Sequence, residues 1–126
     1  MPTNLFLAQA MFNVTRIYSD ANGESHFEDV TIPLKSNGAI GFLSDEEAVK
    51  GIIFREVEAS YDFDFHNAPQ RQYIILLDGG VTIETSLGDI RTFKTGGILL
   101  VEDTTGKGHK TKNIENRTRK SVFITL

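Results

Sequence analysis

The sequence has no cysteine, which excludes a disulfide scaffold, a thiolate nucleophile and any Cys-ligated zinc or iron–sulfur centre. It also lacks an excess of positive charge. Thirteen Lys and Arg stand against seventeen Asp and Glu, for a formal net charge of −4, and that balance argues against nucleic acid or an anionic membrane surface as a partner. Long hydrophobic runs are missing as well. Ile74-Ile75-Leu76-Leu77 and Ile98-Leu99-Leu100-Val101 stop at four residues, far short of the ~20 needed to cross a bilayer. The opening Met1–Leu7 has no basic region ahead of its apolar stretch, so it does not read as a secretory signal, and a cytoplasmic location is expected. There is no internal repeat, low-complexity tract or linker. What remains is 126 residues, enough for one domain that buries roughly two-thirds of its unfolded surface without covalent staples.

The chain is rich in short apolar runs broken by turn signals. These lie at Asp20-Ala21-Asn22-Gly23, Ser36-Asn37-Gly38, Asp78-Gly79-Gly80, Ser86-Leu87-Gly88-Asp89, Thr95-Gly96-Gly97 and Thr105-Gly106-Lys107-Gly108. From Asp78 onward they are spaced one short strand apart, the rhythm of an all-β sandwich or barrel. The strands expected are Ile52–Glu58, Tyr61–Phe65, Gln72–Leu77, Val81–Thr85, Ile90–Phe93, Ile98–Glu102, His109–Ile114 and Lys120–Thr125. Within the second of these, Tyr61, Phe63 and Phe65 alternate with Asp62 and Asp64, predicting one apolar and one polar face. Helix signal is scarce: Ser44-Asp45-Glu46-Glu47 matches a capping box, but Gly51 follows so soon that one turn is all it supports.

Residues 1–50 read as strands and loops added to a core barrel formed by residues 51–126, the whole being one domain. Asn22-Gly23, between Val14–Tyr18 and His26–Leu34, predicts a hairpin with a type I′ turn. Added strands often pair with a second copy, because an open sheet edge needs covering. A homodimer is therefore expected, with a fold-back inside one chain as the competing arrangement.

The stretch from His66 to Asn113 carries the chemistry. His66-Asn67-Ala68-Pro69-Gln70-Arg71-Gln72 leads into an apolar strand ending at Gly79, and Thr104-Thr105-Gly106-Lys107-Gly108-His109 leads on to Asn113. This pair of segments resembles the two-motif signature of the cupin superfamily, and its wording is similar to that of small single-domain bacterial cupins of RmlC-like type. His66 and Gly79 fill the ends of the first motif, while Ala68 stands where a second His belongs and Gln72 where a Glu belongs. Gly97, Gly106, His109 and Asn113 fill the second motif, with Thr104 in place of a Pro and one extra residue after Gly97. The resemblance spans roughly residues 52 to 126 and implies an all-β double-stranded β-helix, a jelly-roll barrel.

The resemblance further implies a site in the barrel mouth, where related proteins hold a divalent metal (Fe, Zn, Ni or Mn) with three His and a Glu. Carried over, it leaves His66, Gln72 and His109, an incomplete set that lacks one imidazole and the carboxylate. The same His66 and His109 are candidate acid–base residues, and Gln72, Asn113 and Glu102 are candidate ligand contacts. Strand alternation places Ile74 and Leu76 with Gln72, and Thr111 and Asn113 with His109. Glu102 shares parity with Ile98 and Leu100, and both an inward and an outward orientation stay open for it. Asp64 shares parity with His66 and is a candidate to orient its ring. Arg71, next to Gln72, is expected to point outward, and His26 to face solvent or an interface.

Other chemistries find no support. Gly106-Lys107-Gly108 has Val101 where a Walker-type loop needs a glycine, and reads as a turn. Lys107, Lys110 and Lys112, answered by Glu102, Asp103 and Glu115, read as a solvated face. No nucleophile-elbow sequence is present. Two readings of a small-molecule site remain open: a metal-dependent oxygenase or isomerase acting on a small polar organic molecule, and a non-catalytic ligand-binding or sensory protein without metal.

Overall fold

The computed structural model describes residues 11–126; the expectation for Met1–Leu7 lies outside them. Its strands are β1 (Met11–Ser19), β2 (Ser25–Pro33), β3 (Lys35–Ser36), β4 (Phe42–Leu43), β5 (Gly51–Val57), β6 (Asp62–His66), β7 (Gln72–Leu76), β8 (Val81–Glu84), β9 (Ile90–Phe93), β10 (Ile98–Val101), β11 (His109–Asn113) and β12 (Arg119–Thr125). They form one sheet in the order β2-β1-β10-β7-β12-β5, a second in the order β6-β11-β8-β9, and a small β3-β4 ribbon. Among the described residues no helix is long and apolar enough to cross a membrane.

The pairing from β5 onward is nested. β5 pairs with β12, β6 with β11, β7 with β10 and β8 with β9, all antiparallel. The chain is thus one long hairpin wrapped over itself into two facing sheets, β5-β12-β7-β10 and β6-β11-β8-β9, which is the jelly-roll order. The fold follows from the turn rhythm: from β7 to β10 a glycine-marked break follows every strand of four or five residues, too soon for a helix to form.

On the inner face of the first sheet Leu76, Leu99 and Val101 are buried, and Val81 and Ile83 meet them from the second. Burying each of these side chains fully contributes roughly 1.5–3 kcal/mol. They close the barrel behind the polar mouth, so the same apolar cluster that holds the sheets together is the floor of the site.

Residues 11–33 fold back onto their own barrel. β1 runs parallel to β10, with Thr15 opposite Leu99, and β2 covers the far side of β1. The hairpin is present, but its turn is not type I′: the loop runs from Asp20 to Glu24, and among the described residues none other than glycine has positive φ. The Asp20 carboxylate organises it by accepting from the backbone N–H of Asn22 and of Glu24, which replaces the two left-handed residues a type I′ turn requires.

The helical turn expected at Ser44 does not form. The Ser44 hydroxyl donates to the carbonyl of Asp45 rather than capping a helix, a local bond that competes with helix formation. The one helical turn among the described residues is a 3-10 turn at Gly38–Ile40. On β6 the expected alternation does not hold: a register shift against β11 puts Phe63 on the same side as His66, on whose ring it stacks, and Phe63 and Phe65 are both exposed.

Candidate functional site

Two contiguous cavities occupy the barrel interior. The outer one, of about 180 Å³, is lined by His66, Gln72 and His109 together with Tyr61, Ile74, Val101 and Phe123. The inner one, of about 50 Å³, shares His66, His109, Arg55 and Tyr61 with it and adds Arg119, Thr111 and the apolar floor. A larger open groove of about 780 Å³ on the outer face of the first sheet holds none of the histidines. The interior is the candidate site, because a mostly apolar concavity with a few convergent polar groups is the usual form of a small-molecule pocket.

β6 and β11 bring His66 and His109 directly opposite each other, with ring centroids 4.6 Å apart. The approach depends on Gly108. Its φ is +74°, and a Cβ there would sit 2.1 Å from the His66 carbonyl oxygen, so any side chain would push the two strands apart. Each imidazole is held through Nδ1. His66 Nδ1 donates to the backbone carbonyl of Asp64, and His109 Nδ1 donates to Asp103 Oδ2 at 2.6 Å. Both bonds assign the proton to Nδ1 and leave Nε2 as the nitrogen available for chemistry.

Asp103 is fully buried and its second oxygen, Oδ1, has no partner among the described residues. Burial pushes the His66 imidazole below its ordinary value, outweighing the bond to the Asp64 carbonyl, which acts the other way. His66 is therefore neutral at pH 7. Phe63 stacks on its ring at 4.0 Å between centroids. Gln72, 3% exposed, presents a buried Oε1 with no hydrogen-bond partner. A polar atom left so costs about 1–3 kcal/mol, an outlay explained if a bound molecule donates to it.

Two arginines complete the interior. Arg55 lies on β5 opposite Ser121 of β12, and Arg119 opens β12. Their guanidinium carbons sit 4.9 and 5.5 Å from the centroid of the Tyr61 ring, and Arg55 also covers Phe123 at 5.1 Å. Arg119 is 2% exposed. Its side chain makes one hydrogen bond, Nε donating to Asn113 Oδ1 at 2.8 Å. Burial, and then the charge of Arg55, push its guanidinium below the ordinary value. No Asp or Glu lines either cavity.

The expected site residues are thus only partly brought together. His66, Gln72 and His109 share the outer cavity. Glu102 does not reach it: Leu99 and Val101 take the inward positions of β10, so Glu102, one residue beyond, points outward. There its carboxylate accepts from Arg16 Nε and Arg71 Nε. Burial pushes this carboxyl up, but the two guanidinium bonds outweigh it and hold the group below its usual range. Asn113 lines neither cavity, its amide donating to the Glu58 carbonyl and accepting from Arg119 Nε.

Asp64 orients His66 through its backbone carbonyl, while its carboxylate accepts from the Phe65 N–H. A register shift between His109 and Thr111 accounts for the difference, because it breaks simple alternation along the β6–β11 pair. Arg71 is an outward charge, as expected, and His26 pairs with Asp20 in the hairpin loop. Asp103, expected on a solvated face, is instead the buried partner of His109. Lys107 pairs with Glu24.

The cupin resemblance implies a divalent metal, and the donor set does not fit one. The lining offers two imidazoles and an amide, Ala68 contributes no donor, and two guanidinium groups share the same small space. A divalent ion there would meet cations where it needs a carboxylate. Among the described residues no group of three or more His, Asp or Glu side chains is placed to hold a metal.

No family model matches the sequence, and no curated protein does. Among solved structures the chain is similar to protein NMB1881 from Neisseria meningitidis, at 18% identity and TM-score 0.46 over 60% of this chain and 74% of that one. It is similar to an RmlC-like cupin protein from Desulfovibrio desulfuricans, at 11% identity and TM-score 0.44 over 90% and 81%. The cupin domain of Schizosaccharomyces pombe Cnp3 aligns at 13% identity and TM-score 0.47 over 96% and 88%. Likenesses this distant carry no inference about function, and the jelly roll rests on the nested strand pairing itself.

Proposed function

We propose that the protein binds a small polar organic molecule in the barrel interior without a resident metal. The observation that carries this reading is Gln72 Oε1, buried and unpartnered in the wall of the cavity that His66 and His109 also line. Three groups there wait for hydrogen-bond partners, Gln72 Oε1 and the two Nε2 atoms, set against Ile74, Val101 and Phe123 as an apolar bed. A molecule with one or two donors and a compact apolar body satisfies both.

The test is a thermal-shift panel of sugars, organic acids and keto acids on metal-stripped protein, since a ligand bound only by the native state raises the midpoint. At least one compound raises it, and His109→Ala and Gln72→Leu remove the response while keeping the fold. A panel that shifts nothing, or a response that survives both substitutions, overturns the reading. Incubation with iron, nickel, manganese or zinc followed by desalting should leave well under one metal per chain.

A second reading has its own observation. The fully buried Asp103 carboxylate, 2.6 Å from His109 Nδ1, fixes the ring with Nε2 available and stabilises it when it takes up a proton, the arrangement of a general base. An isomerase acting by proton transfer uses that pair. Deuterium wash-in from D2O at a carbon of any compound that binds, lost in Asp103→Asn, supports it, and binding with no exchange leaves a ligand-binding or sensory role.

A further inference from the structure

From the placement of Arg55 and Arg119 we infer that the bound molecule is a small organic acid whose carboxylate sits between them. The inference deepens the binding reading and rests on it.

Arg119 is the decisive residue. A guanidinium that is 2% exposed normally has a carboxylate beside it, yet none lies within ion-pair range of Arg119, and its one hydrogen bond goes to a neutral amide. The charge of Asp78 acts on Arg119 weakly, and that carboxylate accepts from the Lys120 backbone N–H. Arg55 has no ion pair or side-chain hydrogen bond among the described residues; it is held by packing on Tyr61 and Phe123.

Two cations are therefore stacked about one aromatic ring at the wall of a cavity that contains no acid. Like charges held close in a low-dielectric interior repel, and a bound anion reverses the sign of that interaction. Guanidinium groups favour a planar carboxylate, which two or more of their N–H donors engage in parallel. The inner cavity, about 50 Å³, suits a group of that size, and the outer cavity, about 180 Å³, takes the remainder of a small molecule. The acid thereby enters head first, with its body against Ile74 and Phe123 and its polar substituents beside His109, His66 and Gln72.

The experiment compares propionate and benzoate with propionamide and benzamide by NMR titration of the full chain at constant ionic strength. The acids should bind saturably and the amides at least tenfold more weakly. Arg119→Met and Arg55→Met should each weaken the acids at least tenfold while preserving a dispersed spectrum. Arg119→Lys, which keeps the charge but not the fork, should fall between, and Arg16→Met, outside the barrel, should match the parent. Amides binding as tightly as the acids would overturn the carboxylate assignment and leave the barrel site standing. Parent protein that binds neither would overturn both. Acid binding undiminished in Arg55→Met and Arg119→Met would place the anion elsewhere.

Discussion

Two arginine pairs, one on the outside of the barrel and one inside it, are built on opposite terms. Outside, Arg16 and Arg71 share a carboxylate, each donating to a different oxygen of Glu102. Inside, Arg55 and Arg119 share an aromatic ring, Tyr61, and no carboxylate. Arg16 and Arg55 are both half-buried and Arg71 is exposed, whereas Arg119 is buried, and this most buried of the four has no carboxylate within ion-pair range. Stability alone would distribute them the other way, since an exposed ion pair contributes little and a buried uncompensated charge is strongly unfavourable. The interior pair is accordingly explained by what enters the barrel.

The interior does contain one acid, and it is already engaged. Asp103 holds His109, so its removal is the most damaging change expected in the comparison. Asp103→Ala should lower stability by about 3 kcal/mol in urea unfolding, because it strips a buried imidazole of its only partner. Full stability in that variant would mean the pair is not a buried anchor of the fold.

Acid sharpens the contrast next. His66 has a folded-state pKa below its unfolded value, so its contribution is fully present above the unfolded value of ~6.5 and is lost as pH falls through the folded one. Unfolding midpoints followed between pH 7.5 and 5 should therefore drop, and His66→Phe should flatten the profile. The smallest effect belongs to the outer pair. Glu102→Gln, which keeps an amide oxygen as an acceptor, should lower stability by no more than about 1–2 kcal/mol and leave ligand binding untouched; a larger loss would make the outer cluster structural.

Most of the framework is legible in the sequence because glycine-marked turns and strand alternation are local signals. The eight barrel strands begin and end within a residue or so of where those signals place them, and Ile90–Phe93 coincides. The exceptions are physical. Ser44 prefers a bond to the Asp45 carbonyl over a helix cap, and the Asp20 side chain takes the place of a type I′ turn.

The site is less legible. His66, Gln72 and His109 come together because their motif spacing encodes strand positions that the jelly roll superimposes. Arg55 and Arg119 do not announce themselves, since arginine is usually a surface residue and Arg119 sits at the very start of its strand. The one local hint is Arg55 on the same face as Ile53 and Val57. Nothing local distinguishes Asp103 from its neighbour Glu102, although the chain turns one inward and the other outward.

The most direct measurement is the urea unfolding of Arg119→Met beside the parent, in buffer free of carboxylates. If Arg119 is kept for a ligand rather than for the fold, exchanging a buried uncompensated charge for an apolar chain of similar length should leave the protein about 1–4 kcal/mol more stable. A variant several kcal/mol less stable than the parent would show that Arg119 is a structural residue, and would contradict a barrel interior arranged around a bound acid.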